Sequence, residues 1–397
     1  MAIADPIPEF SPPPARTGYA LLVVVAPLPT PQLESLLAKL ATSFPPDDLL
    51  IATQNEIAAD VYLPLHLAIA PATNASWTLT ASDFVSAYQL AKSNEARAIL
   101  MLGPDSGSLS GVALHDLANA VMSSSVDLAM PFYDLPPHAG LVNSAILYPL
   151  TRALFATRAH FPLAIDLGLS LRMAERLAAA GQRFLSLNQN DALLWPISEA
   201  VVAGFTIEQC DVGTRALPQP SDPDIRTILA LVTGSLFSDI EAKAAFWQRA
   251  RRLPPPPRSS VPQRHPIDSH PDIMPMIEGF RLAYSNLQEI WSLVLPPNTL
   301  LGLKRLSVVD AASFRMPENL WARIVYDFLI AYRLRTINRG HLLGALIPLY
   351  LAWVAGHINI TASGADSERH IESVASAFDA DKPYLVSRWR WPDRFNP

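Results

Sequence analysis

The sequence predicts an α/β fold with a parallel sheet in its first part and an all-helical domain after it. Short β-rich runs alternate with helical runs from residue 19 onward, as they do in βαβ units. A proline-rich stretch ends this alternation, and only runs with helical spacing follow it. The chain has 397 residues, of which 50% are hydrophobic, so it can bury a large core and is long enough for two domains.

Five strand candidates lie before residue 135, and helical runs separate most of them. They are ALLVVVAPL, DLLIAT, the weaker VYLPLHLAIA, ARAILML and VDLAMPFY. The later segment GLVNSAILYPLTRALFAT is predicted to be helical. FPLAIDLGLSLRMAERLAAA then passes from an extended run into an amphipathic helix, and GFTIEQCDV is a strand candidate at residues 204–212.

The predicted organisation has four parts. Residues 1–18 carry acids and five prolines, which predicts a disordered arm rather than a secretory signal. Residues 19–252 form the α/β domain, which a long helix beginning in SDPDIRTILALV is expected to close. Residues 253–266 are a stiff proline-rich linker, and residues 267–397 form the helical domain.

The most apolar stretch of the helical domain, residues 342–358, raises the question of a membrane span. It contains Gly344, Pro348 and Gly356, and its length lies at the lower limit for crossing a bilayer. A helix buried in a helical domain needs no greater length. We therefore expect a buried helix and no transmembrane span.

Charge and cysteine content limit the partners and the compartment. The 30 Lys and Arg residues against 36 Asp and Glu residues give a net charge of −6, which provides no general attraction to nucleic acid or to an anionic membrane. Cys210 is the only cysteine, so no internal disulfide can form and no cysteine pair offers zinc-ligand spacing. These features predict a cytoplasmic protein that does not bind nucleic acid.

The turn after ARAILML is the first candidate for a functional site, because ligands of open α/β sheets bind outside the carboxyl ends of strands. It reads GPDSGSLS and contains Asp105 and Ser106. Two acids one residue apart at such a strand end can hold a divalent ion against a nucleotide diphosphate. In this chain Gly103 occupies the first of those two positions.

The order and spacing of several segments resemble the nucleotide-sugar glycosyltransferases of the A-type fold, close to family 2 and to mannosylglycerate and glucosyl-phosphoglycerate synthases. The segments are ARAILMLGPDS, VDLAMPFY, SAILYPLTRALF, PLAIDLGLS, AGFTIEQCDVGTR, MPENLWARIVYDFLIAYRLRTI, PLYLAWVAG and FDADKPYLVSRW. The resemblance implies a Rossmann-like nucleotide-sugar-binding domain with a C-terminal helical domain. It further implies transfer of a hexose from a nucleotide-diphosphate sugar to a small acceptor such as glycerate or phosphoglycerate.

The resemblance also implies roles for particular residues. Asp105 corresponds to the second acid of the Asp-x-Asp motif and would bind Mg²⁺ or Mn²⁺. Asp166 and Asp191 would be the catalytic carboxylates near the sugar or the acceptor. The nucleotide sugar would be bound by Gly103, Asp105, Ser106 and Arg215.

Three departures from the family pattern favour an alternative, a catalytically impaired homologue that acts as a binding or scaffold protein. Gly103 replaces the first acid of the motif, residues 213–220 lack the expected histidine, and WTLTASDFVSAY lacks the expected basic residue. A homo-oligomer also remains open.

Each candidate residue also has a structural interpretation. Asp105 can serve only its own turn, Asp166 can cap the following helix, and Arg215 can form a structural salt bridge. Asp191 and Glu199 can be solvated surface acids. The sequence HPIDSH, with His265, Asp268 and His270, is interpreted as a solvated loop rather than a metal site.

Overall fold

The computed structural model describes residues 18–54, 65–70, 77–123, 125–215, 217, 225–250 and 271–392. Residues 1–17 of the predicted arm, the linker at 253–266 and the sequence HPIDSH lie outside these ranges. The predicted arm, linker and domain boundaries therefore stay predictions.

Seven strands form one sheet in the described residues, in the order β3-β2-β1-β4-β6-β5-β7. They are β1 (Leu21–Val25), β2 (Leu49–Thr53), β3 (His66–Ile69), β4 (Ala98–Leu102), β5 (Leu128–Asp134), β6 (Asp166–Ser170) and β7 (Ile207–Thr214). Strands β2 and β4 are buried along their whole length, as expected for apolar runs covered on both faces by helices. The predicted Rossmann-like α/β class is confirmed.

Strand β6 departs from the predicted parallel arrangement. It pairs antiparallel with both β4 and β5, whereas the other pairs in the sheet are parallel. The register places Asp166, the first residue of β6, opposite Leu102, the last residue of β4. The start of β6 therefore lies at the same edge of the sheet as the carboxyl ends of its neighbours.

In the described part of the chain six helices lie between β1 and β7, and side chains cap the starts of three of them. They are α1 (Thr30–Ser43), α2 (Ala81–Ser93), α3 (Gly111–Met122), α4 (Tyr148–Phe155), α5 (Leu171–Leu185) and α6 (Pro196–Ala203). A capping box between Thr80 and Asp83 begins α2, and the hydroxyl of Ser110 caps α3. The predicted helices of this region are confirmed.

Eight further helices follow β7 within the described ranges. They are α7 (Ile225–Ala242), α8 (Ala244–Trp247), α9 (Met274–Asn286), α10 (Gln288–Val294), α11 (Pro297–Ser307), α12 (Glu318–Leu334), α13 (Arg339–Ala362) and α14 (Ser367–Arg390). Their buried side chains form a second core, separate from the core around the sheet. The predicted C-terminal helical region is confirmed.

Helix α7 does not close the sheet region as expected. Its residues Leu236 and Phe237 are buried in the helical core, as are Leu154 of α4 and Trp247 of α8. The apolar stripe of α7 packs against α12 and α13. Helices on the amino-terminal side of the predicted linker thus form part of the helical core.

The apolar run at 342–358 forms the middle of α13. This helix is long and apolar enough to cross a membrane, yet 72% of its most apolar 18-residue window is buried inside the protein. It packs against α7, α9 and α12. This environment is that of a core helix, as the sequence predicted.

Candidate functional site

Four segments of the chain meet at the carboxyl edge of the sheet. Strand β4 ends at Leu102, and β6 begins at Asp166 beside it. Tyr133 lies near the end of β5, and Arg215 follows the last residue of β7. Because β5 and β7 are parallel to each other and antiparallel strand β6 lies between β4 and β5, the four segments share this edge.

A buried ion pair occupies the centre of this edge. The Nε atom of Arg215 lies 2.9 Å from Oδ2 of Asp166, and Nη2 lies 3.3 Å from Oδ1. Both side chains are 0% exposed. The contact is a two-point arginine–carboxylate pair, the geometry in which a guanidinium binds a carboxylate best.

Further hydrogen bonds complete the surroundings of the Asp166 carboxylate. The amide of Gly103 donates to Oδ1 at 3.1 Å, and the hydroxyl of Tyr133 donates to Oδ2 at 3.0 Å. The same hydroxyl accepts from the backbone amide of Asp166 at 3.3 Å. Burial, reinforced by the negative charge of Asp166, raises the pKa of Tyr133 well above its usual value, so the phenol stays a neutral donor.

These contacts decide between the structural interpretations of Asp166 and Arg215. The helix after β6 is capped by Ser170, whose hydroxyl accepts from the amide of Met173, so Asp166 does not cap this helix. The salt bridge considered for Arg215 is present. Arg215 also donates from Nη2 to the carbonyl oxygen of Pro104 at 2.6 Å, which connects the pair to the turn that carries Asp105.

The turn from Gly103 to Ser108 is held from two sides. Arg215 binds the carbonyl of Pro104, and the ammonium of Lys39 on α1 donates to the carbonyls of Gly107 and Leu109 at 2.7 and 2.8 Å. Two cations therefore bind backbone oxygens of one short turn. This arrangement fixes the backbone position of Asp105.

Asp105 adopts a left-handed backbone conformation, with φ 59° and ψ 15°. Such a conformation is uncommon for a residue other than glycine and is concentrated at functional sites. Its side chain is partly exposed, and within the described part of the chain no hydrogen bond or ion pair reaches its carboxylate. The neighbouring Ser106 is fully buried, and its hydroxyl lacks a hydrogen-bond partner among the described residues.

The position of this turn is where an open α/β sheet binds ligands. The strand order runs outward from β1 to β2 and β3 on one side and resumes with β4 on the other. The crevice between the ends of β1 and β4 is therefore the topological switch point of the sheet. The turn that carries Asp105 follows β4 at this crevice.

The turn does not provide the ligand set of a divalent ion. A Cβ atom at Gly103 would lie 2.7 Å from Cβ and 2.9 Å from the carbonyl oxygen of Ile165, so an acidic side chain cannot occupy this position without moving the start of β6. The carboxylate of Asp166 is already paired with Arg215. Among the residues that the structure describes, Asp105 belongs to no group of three metal-ligating side chains. The metal role of Asp105 stays a prediction that its surroundings do not support.

Asp191 is the remaining predicted catalytic residue. It is exposed in the loop between α5 and α6, whose Asn190 and Ala192 carbonyls accept from the first amides of α2. Within the described ranges, no hydrogen bond or ion pair joins it to Asp105, Asp166 or Arg215. Glu199 is not a free surface acid, because it pairs with Arg176 and Lys243, each at 2.8 Å.

A second cluster, which the sequence did not reveal, lies between the sheet and α14. The Nε2 atom of His160 lies 3.3 Å from Oε1 of Glu368 and 3.6 Å from Oε1 of Glu372. The hydroxyl of Tyr148 donates to Oε1 of Glu372, and Arg152 donates to Oε2, both at 2.6 Å. The only sequence signal is the four-residue spacing of the two glutamates, since His160 lies about two hundred positions away.

Charges within this second cluster shift the titration of its members. Burial opposes ionisation of Glu372, but hydrogen bonds from His160, Tyr148 and Arg152 outweigh it and lower its pKa to about 2. Burial likewise disfavours the imidazolium of His160, but hydrogen bonds to Glu368 and Glu372 outweigh it and raise its pKa to about 9. The cluster therefore attracts positive charge.

Comparison with known proteins gives similarity at the level of structure. No protein-family model and no curated protein sequence matches the chain. Glucosyl-3-phosphoglycerate synthase from Mycobacterium tuberculosis in complex with Mn²⁺, uridine-diphosphate-glucose and phosphoglyceric acid is 14% identical, with 56% of this chain and 79% of that chain covered and a TM-score of 0.36. The same enzyme in complex with phosphoglyceric acid is 13% identical, with 56% of this chain and 80% of that chain covered and a TM-score of 0.34.

A third solved structure, of a mycobacterial protein, is 12% identical, with 56% of this chain and 74% of that chain covered and a TM-score of 0.36. The glucosyl-3-phosphoglycerate synthases belong to the class of protein that the sequence segments resemble. The fold class of this chain rests on its own strand order, and its function on its own site.

Proposed function

We propose that the chain binds a nucleotide-diphosphate sugar at the carboxyl edge of its sheet and transfers the hexose to a small acceptor. The observation that carries this proposal is the turn at Asp105. It lies at the switch point of the sheet, its backbone is held by Arg215 and Lys39, and its carboxylate faces no partner among the described residues.

The chemistry available at this turn is hydrogen bonding to hydroxyl groups. An ionised carboxylate accepts hydrogen bonds only, and ribose and hexose hydroxyls are suitable donors. The amino-terminal end of α1 follows β1 at the same edge, and helix amino termini favour phosphate groups. Asp105 would thus bind the sugar or the ribose, while backbone amides receive part of the diphosphate charge.

The buried pair of Asp166 and Arg215 has a supporting role in this proposal. Neither side chain is exposed, so neither contacts a ligand in this conformation. Their contacts to Gly103 and Pro104 set the position of the turn. We therefore assign them to positioning, and we retain Asp191 and a divalent cation only as predictions from the resemblance.

The acceptor class, the compartment and the oligomeric state belong to the proposal as well. A glycerate or phosphoglycerate acceptor follows from the sequence resemblance alone. A cytoplasmic location is supported by Cys210, which is a free and buried thiol. The proposal does not require a homo-oligomer.

A second candidate function is favoured by the absence of a free acid at Gly103 and Asp166 on this edge of the sheet. Gly103 has no room for an acid, and Arg215 neutralises Asp166. A protein with these features can bind a nucleotide sugar without transferring the hexose. This candidate is the catalytically impaired homologue that the sequence departures also indicate.

Calorimetric titration tests the proposal. Uridine-diphosphate-glucose and guanosine-diphosphate-mannose are titrated into the protein with and without Mn²⁺, and release of nucleoside diphosphate is measured with 3-phosphoglycerate present. We expect Asp105→Asn, which tolerates the left-handed backbone but removes the charge, to weaken binding at least about tenfold, as loss of a charge-assisted hydrogen bond does. The matched control is Asp310→Asn, at an exposed aspartate of the helical region.

The outcomes separate the candidates. Binding with release of nucleoside diphosphate supports a transferase. Binding without release supports the impaired homologue. If neither sugar nucleotide binds, or if both variants bind as the parent does, the assignment of the Asp105 turn as a ligand site is wrong.

A further inference from the structure

We infer that His160, Glu368 and Glu372 form a binding site for a divalent transition ion of the zinc type, separate from the turn at Asp105. Imidazole nitrogen and carboxylate oxygen are ligands that Zn²⁺ commonly takes in proteins. The inference does not depend on the proposed function, because the three residues have no contact with Asp105 in the described part of the chain.

Two of the three distances between the ligand atoms match those around one small ion. Tetrahedral Zn²⁺ with bonds of about 2.0 to 2.2 Å places its ligand atoms roughly 3.3 to 3.5 Å apart. The Nε2 atom of His160 lies 3.3 Å from the nearer oxygen of Glu368 and 3.6 Å from that of Glu372. All three ligand atoms lie within 4.8 Å of one another. Three protein ligands leave a fourth position for water or another molecule.

The surroundings hold the imidazole in place. Its ring stacks on Tyr148, with centroids 4.5 Å apart, and meets the edge of Phe132 at 5.0 Å. Oε1 of Gln209 accepts from the backbone amide of His160 at 3.2 Å and lies 3.4 Å from Nδ1. The amide nitrogen of Gln209 also lies 3.3 Å from Nδ1. When Oε1 is the partner, Gln209 accepts the Nδ1 proton, and the lone pair of Nε2 of His160 then faces the two carboxylates. Metal-binding histidines are oriented by this kind of contact.

The two carboxylates are prepared in different ways. Glu372 is held by Tyr148 and by Arg152, which is 4% exposed and also pairs with Asp379 at 3.0 Å. Glu368 is 43% exposed and lies in the first turn of α14. One ligand is thus fixed and the other faces solvent, so an ion can enter from the Glu368 side.

The carboxylates around His160 favour a bound cation. With a neutral imidazole, Glu368 and Glu372 place two negative charges beside His160, and Arg152 pairs with Glu372. Either a proton on His160 or a metal ion can offset this excess. The proton is the competing occupant, and metal binding must displace it.

Zinc titration of the full-length protein after removal of metals with a chelator tests the inference. Isothermal calorimetry gives the affinity for Zn²⁺, and visible absorption of bound Co²⁺ reports a tetrahedral site independently of any activity. We expect one ion per chain in the parent. Glu368→Gln should weaken binding at least about tenfold, and Gln209→Ala should weaken it about 10- to 100-fold.

Two control variants locate the ion. Glu289→Gln removes an exposed glutamate of α10, and Asp105→Asn alters the sheet-edge turn. Both should bind Zn²⁺ as the parent does. Thermal unfolding without metal is compared for all variants, so a loss of binding in a misfolded protein is not counted.

Three results would overturn the inference. They are absence of zinc binding in the parent, equal binding by Glu368→Gln and the parent, and loss of binding in Asp105→Asn with Glu368→Gln unaffected. The first result would leave a proton on His160 as the occupant of the cluster. The last would place the ion at the edge of the sheet.

Discussion

The guanidinium of Arg215 binds protein atoms on two segments at once. It pairs with the carboxylate of Asp166 and donates to the carbonyl of Pro104. A charge buried in this way is tolerated only while its partner is present. The sequence could place Arg215 after a strand, but it could not show that the guanidinium would pair with a buried carboxylate of the protein rather than with a ligand.

Replacement of Arg215 by methionine should destabilise the protein by about 3–5 kcal/mol, because it leaves the Asp166 carboxylate buried and unpaired. The measurement is the apparent free energy of unfolding in urea. Asp166→Asn combined with Arg215→Met should cost less than the sum of the two single changes, since no unpaired charge then remains.

The matched control for this prediction is Arg183→Met, at an exposed arginine of α5. It should change the free energy of unfolding by no more than about 0.5 kcal/mol. If Arg215→Met costs no more than this control, the buried pair does not stabilise the edge of the sheet.

At the scale of the elements, the sequence predicted strands and helices better than strand direction. Apolar runs bounded by turn residues marked β1, β4 and β5, because burial on both faces requires continuous apolar side chains. The antiparallel course of β6 left no such signal, since side-chain alternation is the same in either direction. Of the two roles open to Asp166, capping is excluded because Ser170, four residues later, caps α5.

The candidate site was predicted only in part, because the sequence locates the ends of strands but not the pairing of side chains. The ends of β4 and β7 locate this edge and carry Gly103 and Arg215, whereas Asp166 joins them only because β6 runs antiparallel. Which side chains pair with each other depends on packing between distant segments. The pairing of His160 with Glu368 could not be predicted either, because only the fold brings α14 next to the loop that precedes β6.

Helices α13 and α14 are joined by two buried histidines. The Nδ1 atoms of His357 and His370 lie 2.7 Å apart, which requires a single proton between them. Nε2 of His357 lies 3.1 Å from the carbonyl of Pro137, and Nε2 of His370 lies 3.6 Å from Glu318. Burial, reinforced by the charges of His370 and His138, lowers the pKa of His357 to about 4.

This lowered pKa predicts a loss of stability in acid. The folded-state pKa of His357 lies below its ordinary value of 6.5, so its contribution is complete above pH 6.5 and is lost as the pH falls toward 4. The thermal midpoint should therefore fall between pH 7 and pH 4.5. The thermal midpoint of His357→Gln should fall less over this pH range, because glutamine keeps a donor and an acceptor but cannot be protonated. An equal fall in both proteins would contradict this prediction.

At the scale of the whole molecule, the helical core and the sheet edge are connected through α4 and the loop that follows it. Arg152 of α4 binds Glu372 and Asp379 of α14. The ammonium of Lys382 on α14 donates to the carbonyl of Leu154 at 3.5 Å. The loop after α4 carries His160 and ends at Asp166, the first residue of β6. The contacts of α14 with α4 therefore hold the helix from which the chain leads directly to the start of β6.

This connection predicts that a chain ending at Ala250 does not fold by itself. Leu154, Phe237 and Trp247 are buried against helices that such a fragment lacks. Exposure of each costs about 1.5–3 kcal/mol, and their sum is comparable with the 5–15 kcal/mol that stabilises a typical domain. Circular dichroism of the fragment should show no cooperative thermal transition, and addition of a fragment of residues 271–397 should restore one. A cooperative transition in the fragment ending at Ala250 alone would show that the sheet domain is independent of the helical core.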